Sequence, residues 1–114
     1  MTSLNFSRLH PALDRQLAAL AARDLDGLLA NYSPDAVVVR FDRTADGEAE
    51  IREMFADYMA LEPELVELVH YAETDDVIFY RAVMSLAGTA YCTLGTLVLR
   101  EGRIWRQTAA VETG

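Results

Sequence analysis

Three observations predict an α+β fold. Apolar residues recur at helical spacing in three stretches of the first sixty residues, and four strand-like segments then fill the rest of the chain. The breaks between those segments are short enough only for antiparallel neighbours, so they form a meander. The stretch from Arg23 to Pro63 joins the two regimes, with a capped helical turn, a strand and an amphipathic helix in succession.

The first helix is marked by Leu9, Leu13, Leu17 and Leu20, which line one face of a segment opening near Pro11 and ending near Arg23. Gln16 falls within that apolar stripe, so its amide needs a partner or a pocket to serve. Asp24 can cap a second short helix whose apolar side is Leu25, Leu28, Leu29 and Tyr32, and Ser33-Pro34-Asp35 breaks it. Tyr32 is expected to be buried at its ring, with its hydroxyl bonded locally or to a ligand.

From Ala36 the period becomes two. Val37, Val39 and Phe41 make a uniformly apolar face, while Arg40 and Asp42 share the other side and can pair. Read locally, the apolar face is the core, and a surface pair of this kind contributes about 0 to 1 kcal/mol. Residues Arg43 to Gly47 read as a turn-rich loop, and Asp46 can cap a third helix over Glu48 to Leu61. Its buried stripe is Ile51, Met54, Phe55, Tyr58 and Glu62; these aromatics and methionines fill a core or wall a pocket.

The four strand segments are Glu64 to Ala72, Val77 to Ala87, Thr89 to Arg100 and Arg103 to Val111. Two-residue turns at Gly88 place Ala82, Met84 and Leu86 on the side shared with Tyr91, Thr93 and Gly95. Both faces are largely apolar, so one covers the helices and the other is a candidate dimer surface. His70 shares a face with Val66 and Leu68 and is expected to point inward, where it could act as acid or base.

Composition bounds the function. With 114 residues, 52% of them hydrophobic, the chain is predicted to be a single domain over residues 1–114, with disorder confined to Met1 to Asn5 and the last few residues. A net charge of −8, from 18 acidic and 10 basic residues, repels phosphate backbones and argues against nucleic acid as a partner. One cysteine and two histidines provide neither an internal disulfide nor a zinc spacing. No apolar run approaches the roughly 20 residues of a membrane helix, and the first ten lack signal-peptide character, so a soluble, cytoplasmic protein without a membrane partner is expected. Nothing calls for a metal or an organic cofactor.

Two segments, ARDLDGLLANYSPDAVV and the G-x-x-x-I-R-x-x-F of Gly47, Ile51, Arg52 and Phe55, carry a resemblance. With the order of elements over nearly the whole chain, they resemble the nuclear transport factor 2-like superfamily, and within it the SnoaL-like and ketosteroid-isomerase-like members. That resemblance implies a cone: a curved antiparallel sheet wrapped around three N-terminal helices, with an apolar interior and a homodimer through the outer sheet face. It also reverses the local reading of one strand, because the position held by Arg40 then looks into the cone and carries Val38 and Asp42 with it.

The same resemblance implies where chemistry would sit. Ketosteroid isomerases place an aspartate base at the Arg40 position, a tyrosine donor at the Gln16 position and a protonated aspartic acid at the Gly95 position. This sequence departs at all three. Arginine cannot act as a base and glycine offers no side chain, so isomerisation by that apparatus is not expected. SnoaL-like cyclases use an acid/base aspartate for which this chain has no evident counterpart.

Parity and the resemblance together turn Tyr91, Thr93, Gly95 and Leu97 inward, and on the last strand Trp105, Gln107, Ala109 and Val111. Gln16, Tyr32, Arg40, Phe55, Tyr58, Tyr91, Trp105 and Gln107 are the ligand-binding candidates. Arg40 suits a carboxylate or polarised carbonyl, because a guanidinium is a fixed fork of donors. One expectation is a noncatalytic binding module for a small apolar molecule bearing an acidic or carbonyl oxygen. The other is an isomerase, cyclase or lyase with Arg40 stabilising an enolate and His70 or Asp42 as the base. A cone plugged by side chains would leave only a role in protein interactions.

Overall fold

The computed structural model describes residues 9–112, in the order α1 (Pro11–Ala22), α2 (Leu25–Leu29), β1 (Tyr32–Arg40), β2 (Thr44–Asp46), α3 (Glu48–Met59), β3 (Glu64–Glu73), β4 (Val77–Leu86), β5 (Thr89–Arg100) and β6 (Arg103–Glu112). The disorder expected for Met1 to Asn5 and the final residues lies outside the described part, apart from residues up to 112.

Helix α1 starts where Pro11 occupies the first turn, and the His10 Nδ1 accepts the Ala12 N–H at 3.1 Å. That bond leaves the ring proton on Nε2, which donates to the Asp75 carbonyl at 3.1 Å and ties the helix start to the β3–β4 turn. Arg23 ends α1 in the left-handed region, at φ 56°. Asp24 then caps α2 by accepting the Gly27 N–H at 3.0 Å, as its position predicts.

Asp46 does not cap α3. It belongs to β2, and the cap position falls to Gly47 at φ 89° with no side-chain bond; Glu50 instead reaches back to accept the Asp46 N–H at 2.9 Å. The helix also ends earlier than its apolar stripe implies, at Met59, so Glu62 is not helical.

The sheet has six strands in the order β2-β1-β6-β5-β4-β3. It is curved and unclosed, and every neighbour is antiparallel except β1 and β6, which run parallel. Strand β1 begins at Tyr32, four residues before the change of period, and its register slips between Tyr32 and Val37, so Ser33-Pro34-Asp35 passes through a bulged stretch of strand. The turn-like RTADG contains β2, which pairs Val37–Val39 with Asp46–Thr44.

Ala36 and Val38 are buried, whereas Val39 is 47% and Phe41 97% exposed. The all-apolar side of β1 is therefore the outer one. Helices α1 and α3 lie on the face to which Val38 points, and a sheet with two apolar faces gives alternation alone no means of choosing between them. Leu13, Leu28, Ile51, Ile78, Leu97 and Ile104 form the heart of the core between helices and sheet.

Candidate functional site

The concave face of the sheet and the overlying α1 and α3 enclose a cavity of about 350 Å³. Its walls are mostly apolar, with Leu13 and Leu20 from α1, Met54 and Phe55 from α3, and Leu97 and Ala82 from the sheet. Arg40, Phe41, Asp42, Leu61, Leu65 and Val111, each at least partly exposed, also border it and form its mouth.

The polar wall is a chain of hydrogen bonds whose direction is fixed at one end. Arg15 can only donate, so its Nε bond at 2.9 Å identifies the Asn31 acceptor as Oδ1. Asn31 Nδ2 then gives its two protons to the Ala12 carbonyl at 2.9 Å and to Gln16 Oε1 at 3.1 Å. Gln16 Nε2 donates to the Tyr32 hydroxyl at 2.8 Å, and the Tyr32 proton passes to Gln107 Oε1. Each step forces the next. The last group, the Gln107 amide nitrogen, meets no partner among the described residues, is not sealed in the wall, and belongs to a residue lining the cavity.

Three consequences are electrostatic. Burial, outweighing the Gln16 hydrogen bond, raises the Tyr32 pKa well above its usual value, so the hydroxyl stays protonated and the relay keeps its sense. Tyr80 is pushed up to about 12 by burial first and by Tyr58 second, and Tyr58 is itself raised by burial. The Arg40 fork holds Asp42 through two bonds, at 2.9 and 2.6 Å, and that hydrogen bonding lowers the Asp42 pKa. Asp42 is thus an ionised, largely exposed carboxylate already bound to a cation.

The structure brings Gln16, Phe55, Tyr58 and Gln107 to the cavity wall with Arg40 at the mouth, whereas Tyr32 is buried in the core and does not border the cavity. Phe55 packs against both Tyr32 and Tyr58, at centroid separations of 5.6 and 6.2 Å. Arg40 does not look into the depth of the cone as the resemblance implies; its side chain is 30% exposed and stands one pleat beyond Gln107, in register with Ala109.

Trp105 does not line the cavity. A bulge between Val98 and Leu99 pairs Leu99 with Ile104 and Val98 with Arg106, which leaves Trp105 unpaired and gives Ile104 the inward place. The indole instead carries the Arg106 guanidinium at 4.0 Å and that of Arg100 at 4.9 Å. Tyr91 lies on the predicted side, opposite Met84, but close to the hairpin end; it is 39% exposed and does not border the cavity.

His70 is displaced by the same kind of irregularity. Register slips between Leu65 and Glu67, and again between Leu68 and His70, turn Leu65, Leu68 and Tyr71 inward opposite Met84, Ala82 and Tyr80, and leave exposed His70 beside Arg81 with Glu67 on the other side. Neither candidate base, His70 or Asp42, projects from the cavity interior. Sequence reasoning missed Tyr80, although its parity with Ala82 and Met84 marks it as inward, and it missed Asn31 and Arg15, whose spacing carries no signal. No group of three potential metal ligands occurs among the described residues.

Comparison with known proteins agrees with this architecture. A candidate polyketide cyclase from Sinorhizobium meliloti superposes with a TM-score of 0.78 at 22% identity, over 93% of this chain and 99% of the other. A candidate ketosteroid isomerase from Kribbella flavida gives 0.81 at 12% identity, over 92% and 78%. TerC, co-crystallised with polyporic acid, gives 0.76 at 20% identity, over 89% and 88%. No curated protein matches the chain. The SnoaL-like domain model matches residues 13–107, which is most of the sequence and includes the relay from Arg15 to Gln107. The chain belongs to the SnoaL-like domain family.

Proposed function

We propose that this protein is a binding module whose cone holds a small, mostly apolar molecule through an acidic or carbonyl oxygen. The observation that carries the reading is the sense of the relay: it ends in an N–H facing an apolar cavity, and such a donor calls for an acceptor from the ligand. Arg40 at the mouth adds a cation for an acidic group. TerC, of similar fold and co-crystallised with polyporic acid, supports an acidic ligand.

A SnoaL-like isomerase, cyclase or lyase is the second reading, favoured by the candidate cyclase among the structural neighbours. It needs a base that can reach the cavity. Asp42 at the mouth has both oxygens bound by Arg40, which lowers its pKa and weakens it as a base, and His70 lies outside, so accessory binding is the better supported of the two.

The whole chain is taken as one such domain, acting in the cytoplasm without nucleic acid or membrane. Among the described residues no helix is long and apolar enough to cross a membrane. The exposed Val39 and Phe79 support a homodimer through the outer sheet face. Thermal denaturation with 2-naphthoate, an apolar acid, tests the binding reading. A rise in Tm that saturates with ligand is expected, and an unchanged Tm with 2-naphthoate and a panel of apolar acids and ketones would contradict it.

A further inference from the structure

The two polar ends of the cavity lie on one cross-strand row. Arg40 on β1 is in register with Ala109 on β6, Ala109 with Gly95 on β5, and Gly95 with Tyr80 on β4. The two central positions carry the smallest side chains available, so the row is a trough with a guanidinium at one end and a phenol at the other.

Tyr80 leans along that trough toward Arg40. Its hydroxyl lies 2.6 Å from where a Cβ on Gly95 would stand, so it occupies space that any other residue at 95 would claim. It has no hydrogen-bond partner among the described residues. Tyr58 of α3 is the neighbouring group, close enough to raise the Tyr80 pKa, and it senses Arg40 in turn. Tyr80 is half-buried and borders the cavity, so its hydroxyl finds an acceptor only in the cavity's contents, water or ligand.

We propose that the Tyr80 hydroxyl, seated over Gly95 beside Tyr58, is a second donor site, and that the ligand carries two acceptor oxygens on one apolar frame, as in an aromatic keto acid. This rests on the binding reading above. The acidic oxygen lies on the β1–β6 side with Arg40 and Gln107, and the carbonyl on the β4–β5 side with Tyr80. Two strand spacings, roughly 10 Å, separate β1 from the Gly95 strand, which is the length of a two-ring frame with substituents at both ends. Tyr80 is thereby a specificity-determining residue: it distinguishes a carbonyl from an alkyl group of the same shape.

Isothermal titration of 6-acetyl-2-naphthoate and 6-isopropyl-2-naphthoate tests this, with 2-naphthoate as the reference acid. The wild type is expected to bind the acetyl compound roughly tenfold more tightly than the isopropyl one, the range of one hydrogen bond. Tyr80→Phe should abolish that preference, bringing the ratio of the two affinities close to one. Equal affinities in the wild type, with 2-naphthoate still bound, would overturn the two-oxygen ligand and spare the binding reading. A preference that persists in Tyr80→Phe would overturn the role of Tyr80. The comparison of ligands in the wild type needs no variant to fold; failure of all three acids to bind would overturn the two-oxygen ligand, while the binding reading falls only with the wider panel of acids and ketones.

Discussion

The Tyr32 hydroxyl accepts from Gln16 and donates to Gln107 Oε1, the acceptor that satisfies its one proton. An amide flipped at Gln107 would leave the buried Tyr32 proton without its acceptor. The orientation of a residue on the last strand is therefore settled by Arg15 on the first helix, through Asn31, Gln16 and Tyr32.

Tyr32→Phe should destabilise the protein by about 1–3 kcal/mol, because it leaves a buried donor on Gln16 and a buried acceptor on Gln107 unmet. Urea denaturation measures this. A double variant, Tyr32→Phe with Gln16→Leu, should cost less than the sum of the single changes, since one of the stranded groups is then removed as well.

Gly95→Ala should destabilise by about 1–3 kcal/mol, the range of an overpacked core site. The added methyl would meet the Tyr80 hydroxyl at 2.6 Å and the Thr108 carbonyl at 2.7 Å. Adding Tyr80→Phe should restore only part of the loss, because the backbone contact remains. Full restoration would show that Tyr80 alone sets the constraint.

Stability should fall at high pH. Tyr80 titrates near 12 in the folded protein against 10.0 for a free side chain, and Tyr32 and Tyr58 are also raised. Protons are thus held more tightly by the folded state, so the stabilisation is complete below about pH 10 and is lost as pH rises toward 12. Tyr80→Phe should flatten this dependence in denaturation curves taken across that range.

At low pH the sign reverses. Asp42 and Asp35 are both lowered from 3.8, chiefly by hydrogen bonds from Arg40 and Arg100. Their contribution is present above the unfolded pKa and disappears as pH falls through the lower folded values, so it is lost below about pH 4. Asp42→Asn should cost no more than about 1 kcal/mol at neutral pH, as for other surface pairs, and should reduce the acid dependence.

Trp105 emission should not respond to a ligand in the cone, because the indole stacks on Arg106 and Arg100 and does not border the cavity. Quenching by 2-naphthoate that follows a binding isotherm would contradict that placement.

The sequence revealed the helices and meander through period, caps and short turns, because these depend on residues near one another. It also contained the evidence for Tyr80, two places from Ala82 on a strand of unbroken alternation. Trp105 and His70 were illegible for a different reason: a bulge adds one residue and inverts every side chain beyond it, and neither Val98-Leu99 nor Leu65 to His70 carries a glycine or proline to announce one. The relay was out of reach because Arg15, Asn31, Tyr32 and Gln107 are adjacent only after a parallel pairing between the first and last long strands.

The central claim is that Gln107 offers a donor to the cavity. Gln107→Glu keeps the acceptor for Tyr32 and replaces the amide nitrogen with oxygen, so titration of the neutral ketone 2-acetylnaphthalene into both proteins at pH 8, with the fold checked by circular dichroism, tests that donor without charge repulsion on the ligand. The account predicts at least a tenfold weaker affinity in the variant, about 1.4 kcal/mol. Equal affinity in a fully folded Gln107→Glu protein would contradict it.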